Sequence, residues 1–228
     1  MNYIPQLYDF LRRLDANNNR DWFKANKAEY DELRNLWLVD IDRMLAAISE
    51  WWPQLRGLTA KDCVYRIYRD TRFSLDKTPL KTYFSAGIGP QGRKAHGAGF
   101  YLQVGPGRFV DEVESGLYGG IWCPEAPVLK KLRKAIVDNI EEFEETINAP
   151  GVEENFPGWC GDTLKTVPKG YDRNHPLAHL LRRKDYGKFH PADEAFFTDP
   201  DWPLRAAELF HLLKPFIDFL DYSIHEEP

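Results

Sequence analysis

The sequence is poor in sulfur and has no long apolar run, and each lack removes a class of protein. Cys63, Cys123 and Cys160 are its three cysteines, an odd number without a C-x-x-C pair, which rules out a disulfide framework and the common zinc and dithiol motifs. A reduced, cytoplasmic setting is therefore expected. No stretch approaches the roughly 18 apolar residues of a membrane span, and the opening MNYIPQLYDFLRRLD lacks the basic-then-apolar order of a secretory leader, so no membrane partner is expected. Positive charge is not in excess either. The net charge of −5 argues against a surface that clings to nucleic acid throughout.

Catalytic signatures are equally scarce. There is no G-x-S-x-G elbow and no P-loop Lys-Ser/Thr, and the glycine-rich pieces GIGPQG (87–92) and GPGR (105–108) read as hairpin turns. His175 and His179 are spaced for one helix face, but no Glu follows His175 and no third ligand is evident. No metal and no cofactor are expected. Asp111, Glu112 and Glu114 read as solvent-facing strand positions, too far from a lysine to suggest a metal-dependent nuclease.

What is present is a folded core. Hydrophobic residues make up 43% of the chain and aromatics 14%, with seven Trp among 228 residues, a balance typical of a globular domain. Leu7, Phe10, Leu11 and Leu14 mark a short amphipathic segment. After Asn17-Asn18-Asn19, a run suited to turns and helix caps, Tyr30, Leu33, Trp37, Ile41, Met44, Ile48 and Trp51 follow in steps of three or four until Pro53, which predicts a helix over residues 20–52. Between Cys63 and Trp122, β-branched and aromatic runs separated by glycine turns predict antiparallel strands at Val64–Tyr68, Tyr83–Ile88, Phe100–Val104, Phe109–Glu114 and Leu117–Trp122. Leu129, Leu132, Ile136, Ile140, Phe143 and Ile147 predict a second long helix over 126–147. Residues 149–171 read as a surface connection, Asn174 as the cap of a short helix, and Trp202–Ser223 as a helix kinked at Pro215. The expectation is a single α+β domain over 1–228, helical over 1–55, a mainly antiparallel twisted sheet over 60–123, and helical again over 124–228.

Charge is unevenly placed. Residues 138–160 hold seven acids and no Lys or Arg, as expected of a solvated helix end and loop. In RIYRDTRFSLDKTPLK (66–81) the five cations Arg66, Arg69, Arg72, Lys77 and Lys81 face only Asp70 and Asp76, leaving a net charge of +3. An extended backbone would send Arg66, Tyr68, Asp70 and Arg72 to one face. Guanidinium forks hold phosphate or carboxylate bidentately, and the two aspartates could orient them.

RIYRDTRFSLDKTPLKTYFSAGI, with GFYLQV, YGGIWCPEAPVLKKLR, NHPLAHLLRRKDY and, earlier, NNNRDWFKANKAEYD, resembles the bacterial and fungal family known as domain of unknown function 2461. The resemblance spans nearly the whole chain. Its most specific piece is Arg-Asp-Thr-Arg-Phe followed by Asp76-Lys77 and Pro79-x-Lys81; Leu75 stands where that family commonly has lysine and Leu80 where it has tyrosine. The resemblance implies this fold and marks the motif without implying a reaction.

The leading expectation is recognition of a small anionic ligand, phosphate or carboxylate, by Arg66, Arg69, Arg72, Asp76, Lys77 and Lys81. Trp122 is expected as a stacking platform beside them, with room left by Gly119 and Gly120, the alternative being an ordinary core tryptophan. Were the protein an enzyme, Asp70 would be the first candidate for general base. Two alternatives stand: a non-catalytic protein-interaction domain in which the motif is a structural ion network, and, less favoured, single-stranded nucleic-acid binding.

Overall fold

The computed structural model describes residues 2–107 and 115–225. The expected strand Phe109–Glu114, with Asp111, Glu112 and Glu114, lies outside the described residues. The fold is mixed α+β. Among the described residues the helices are α1 Ile4–Ala16, α2 Arg20–Ala25, α3 Lys27–Trp51, α4 Ala60–Cys63, α5 Ala126–Asp138, α6 Ile140–Ile147, α7 Val152–Asn155, α8 Ala178–Leu181, α9 Glu194–Thr198, α10 Trp202–Leu212 and α11 Lys214–His225. One open antiparallel sheet has the order β1 (Phe84–Ile88), β2 (Gly99–Val104), β3 (Gly116–Ile121) and β4 (Tyr186–Pro191).

Both long helices predicted from apolar spacing are broken once, each time at an asparagine. The Asn26 side chain donates back to the Trp22 carbonyl at 2.8 Å and that of Asn139 to the Ala135 carbonyl at 3.1 Å, so each ends one helix with its own amide. The apolar stripe runs on across both breaks, which is why periodicity alone reads straight through them. At the C-terminus the helix stops at Leu212, and Pro215 sits in the first turn of α11, where its missing N–H costs no hydrogen bond. Val64–Tyr68 is not a regular strand. It meets the chain through single bridges at Val64–Ala86 and Tyr68–Leu80.

The sequence also conceals a strand. KDYGKFHP alternates poorly, yet Tyr186–Pro191 forms β4, and the supposed connection before it supplies two bridges, Cys160 to Gly187 and Thr163 to Arg183. Pairing with that strand, rather than any local periodicity, organises the segment.

The chain forms two compact units. The first comprises Met1–Ala95, Tyr101–Leu117 and Pro191–Glu208. Its core is aromatic: Trp37 stacks on Trp202 with ring centroids 5.5 Å apart, and Tyr30 meets Phe84 edge-on at 5.7 Å. Leu7, Phe10, Leu11 and Leu14 of α1 are fully buried, as their spacing requires. The second comprises His96–Phe100, Tyr118–His190 and Leu209–Pro228. It is centred on Phe143, which stacks on Trp159 at 6.1 Å and touches the rings of Tyr186, Phe216 and Phe219. No described helix is long and apolar enough to cross a membrane.

Candidate functional site

The charged motif forms a closed arm at the edge of β1. Tyr65 donates its N–H to Ser85, Lys81 to Ile67 and Arg69 to Pro79, at 3.0, 2.8 and 2.9 Å. Residues 64–69 thus run antiparallel to 79–86, and 70–78 form the loop between them. In this pattern the Leu80 N–H and C=O point away from the partner arm. Both are taken by Asn18, whose amide accepts at 3.1 Å and donates at 2.9 Å. The three consecutive asparagines therefore do three different jobs. Asn17 bonds back to the Arg13 carbonyl at the end of α1, Asn18 clamps the motif, and Asn19 caps α2 by accepting from the Trp22 N–H. Sequence reasoning finds the cap; the clamp spans 62 residues and leaves no local signal.

Within the loop, cations and acids pair off. Arg72 grips Asp70 with two nitrogens, at 3.0 and 2.7 Å, and its backbone N–H adds a third bond to the same carboxylate. Arg69 reaches Asp76 at 2.5 Å and also Thr78, while Asp76 accepts from both the backbone and hydroxyl of Thr78. Lys77 donates to the Thr71 carbonyl at 2.9 Å, which ties the loop without neutralising the charge. Bonds from Arg72 hold the Asp70 carboxyl down at about 2. Asp70 is ionised and oriented, but both its oxygens are occupied and its basicity is low for a proton acceptor. Asp76 is pulled well below the usual carboxylate range, first by Thr78 and then by Arg69.

Besides Lys77, two more cations of the motif lack an acid partner. Among the described residues, neither Arg66 nor Lys81 has a carboxylate within ion-pair distance. Arg66 is exposed on the first arm. Lys81 is half-buried on the second, its ammonium 5.1 Å from the Tyr65 ring centre and 5.6 Å from that of Tyr83. Burial, and next the charge of Arg66, push the Lys81 ammonium below the ordinary lysine range. The ring faces offer some compensation to a partly desolvated cation, yet two like charges lie close enough to disfavour each other. Tyr65 and Tyr83 are themselves shifted upward by burial, so they are neutral phenols at physiological pH.

Trp122 belongs to the second unit, just beyond β3, where it is 57% exposed and meets Tyr118 edge-on at 5.8 Å. The glycines before it serve the protein's own packing. A Cβ on Gly119 would lie 2.6 Å from Leu213, and one on Gly120 only 2.2 Å from the Tyr186 carbonyl oxygen. His175 accepts the Leu177 N–H on Nδ1. No group of three or more His, Cys, Asp or Glu able to hold a metal lies among the described residues.

A second cationic cluster, absent from the sequence reading, is buried in the second unit. Arg183 bonds the carbonyls of Cys160, Gly161 and Asp185 and lies over Trp159, whose ring also faces Lys188 at 5.2 Å. Asp185 is pushed upward mainly by burial, with Arg183 opposing that shift. Main-chain oxygens take up most of these donors, and the cluster ties residues 159–163 to β4.

The chain belongs to the family described as Conserved hypothetical protein (DUF2461), whose model matches residues 6–219. No curated protein and no solved structure matches it.

Proposed function

We propose that this member of the family recognises an anionic group, phosphate or carboxylate, at Arg66 and Lys81, with Lys77 adding charge from the loop. One observation carries the reading. Of the five cations in the motif, Arg69 and Arg72 are bound to Asp76 and Asp70, whereas exposed Arg66 and half-buried Lys81 have no carboxylate within ion-pair distance among the described residues, and the charge of Arg66 bears on the Lys81 ammonium. An anion placed between them would relieve that repulsion and favour the charged form of Lys81. Arg66 supplies a planar fork and Lys81 a point charge, while Tyr65 and Tyr83 wall one side of the ammonium.

The opposing reading, a structural ion network, is favoured for the outer half of the motif by the Arg69 and Arg72 pairings. On this division Asp70 and Asp76 shape the loop and do not touch the ligand.

The test is titration calorimetry with inorganic phosphate, citrate and a nucleotide. Arg66→Gln and Lys81→Gln should each lower the affinity at least about tenfold. Arg72→Gln should leave it nearly unchanged, and melting temperatures should hold for all three. Binding should weaken with added salt. A wild-type protein that binds none of the three anions, or an Arg66→Gln variant that binds as well as wild type, refutes the proposal.

A further inference from the structure

We propose that the loop 70–78 is an interfacial anchor: Phe73 and Leu75 enter the apolar layer of an anionic lipid surface, while Arg66, Lys77 and Lys81 meet its phosphates. The inference rests on the anion-recognition reading above and names the source of the anion.

The loop is built inside out. Several of the motif's charged and hydroxyl side chains fold back on the loop: Arg72 on Asp70, Arg69 and Thr78 on Asp76, Lys77 on the Thr71 carbonyl. Its two large apolar side chains do the opposite. Phe73 is 96% and Leu75 101% exposed. A polar lattice thus leaves two hydrophobic side chains out in water, with the Arg72 guanidinium near one of them, 5.8 Å from the Phe73 ring centre. Scattered exposed apolar residues are ordinary in soluble proteins, but fully exposed neighbours on one braced projection mark a contact surface.

The order of groups along the arm selects the occupant. Phe73 and Leu75 share the loop with Lys77, and two further cations with no carboxylate within ion-pair distance, Arg66 and Lys81, are on the two arms that carry it. Apolar side chains on the loop and cations beside and behind them repeat the layering of a membrane surface, with hydrocarbon beneath a plane of phosphates. Leu75 has no ring to stack on a base, which counts against single-stranded nucleic acid. The lack of a spanning segment does not bear on a peripheral contact of this kind. The expectation of no membrane partner rested on the lack of a spanning segment and of a secretory leader, neither of which speaks to such a contact.

The experiment is co-sedimentation of the full chain with vesicles of about 30% phosphatidylglycerol in phosphatidylcholine, beside vesicles of phosphatidylcholine alone, with inorganic phosphate binding measured in parallel. Wild type should sediment with the anionic vesicles only. Phe73→Ser/Leu75→Ser should cut that partitioning at least about tenfold, with melting temperature and phosphate affinity unchanged, because neither side chain packs against the fold. Arg66→Gln/Lys81→Gln should lose both vesicles and phosphate. If phosphate binds but vesicles do not, or the serine variant sediments like wild type, the anchor is refuted and the anion site stands. A serine variant with weakened phosphate binding also refutes the anchor, because the loop tip would then be contacting the ligand. If phosphate fails to bind, the anion site falls and the inference with it.

Discussion

Replacing Asn18 with alanine tests whether a side chain outside the motif holds the candidate site in shape. The Asn18 amide makes two hydrogen bonds to Leu80, at 2.9 and 3.1 Å, and Leu80 is 1% exposed. Each such bond contributes a net ~0.5–1.5 kcal/mol, and a buried main-chain group left without a partner costs ~1–3 kcal/mol. Asn18 is only half-buried, so water can reach part of the vacated space and the lower end of that range applies to each group. The expected loss is about 2 kcal/mol, which for a chain of this size corresponds to a fall of ~4–8 °C in melting temperature. Asn18→Asp keeps the acceptor for the Leu80 N–H and loses the donor to its carbonyl, so about half the loss is expected. Scanning calorimetry on the three proteins decides the matter. Lys81 follows Leu80 directly, so Asn18→Ala should also weaken phosphate binding while every cation is still present. A melting temperature within ~1 °C of wild type would refute the clamp.

Three further outcomes follow from the same geometry. Gly120→Ala, which puts a Cβ 2.2 Å from the Tyr186 carbonyl oxygen at a φ of +149°, should cost more than ~3 kcal/mol and abolish soluble expression; a folded Gly120→Ala protein would contradict the close β3–β4 approach. Maleimide should modify one thiol in the native protein, exposed Cys123, and all three after denaturation, because Cys160 and Cys63 are buried and burial pushes the Cys63 thiol up to about 12; rapid labelling of a second native thiol would count against this packing. Asp70 is depressed to about 2 by Arg72, so its contribution to loop order is complete above the ordinary aspartate range near 4 and is lost as pH falls toward 2; a carbon-13 carboxyl titration of Asp70 with a midpoint near 4 would show that the pairing is absent.

Much of the helical framework is legible in the sequence because burial repeats at three and four residues, and Leu7, Phe10, Trp37 and Ile41 are indeed sealed in the core. Helix breaks are less legible. Asn26 and Asn139 interrupt the backbone without interrupting the apolar stripe, since a single residue turned aside costs little in phase. Strand β4 could not be read at all, because its pairing partners lie elsewhere and its own residues, Gly187, Lys188 and His190, carry little strand preference. At the site, the identity of the charges was plain and their partition was not. A +3 sum cannot say which acid binds which cation; geometry assigns Asp70 and Asp76 to Arg72 and Arg69 and leaves Arg66, Lys77 and Lys81 without an ion-pair partner among the described residues. Leu75, noticeable in the sequence only as a departure from a family pattern, gains meaning from its complete exposure next to Phe73.

The outer margins of the sheet have a further bearing on recognition. Residues 64–68 shield β1 near Ser85 and Ala86, and Cys160 shields β4 at Gly187. At those positions the Ser85 and Gly187 carbonyls already accept a main-chain N–H, so an incoming extended peptide would have to displace the chain's own segments to pair there. What it meets is the chemistry of individual side chains, and selectivity among visitors is then open to change by single substitutions in the arm without reworking the sheet behind it.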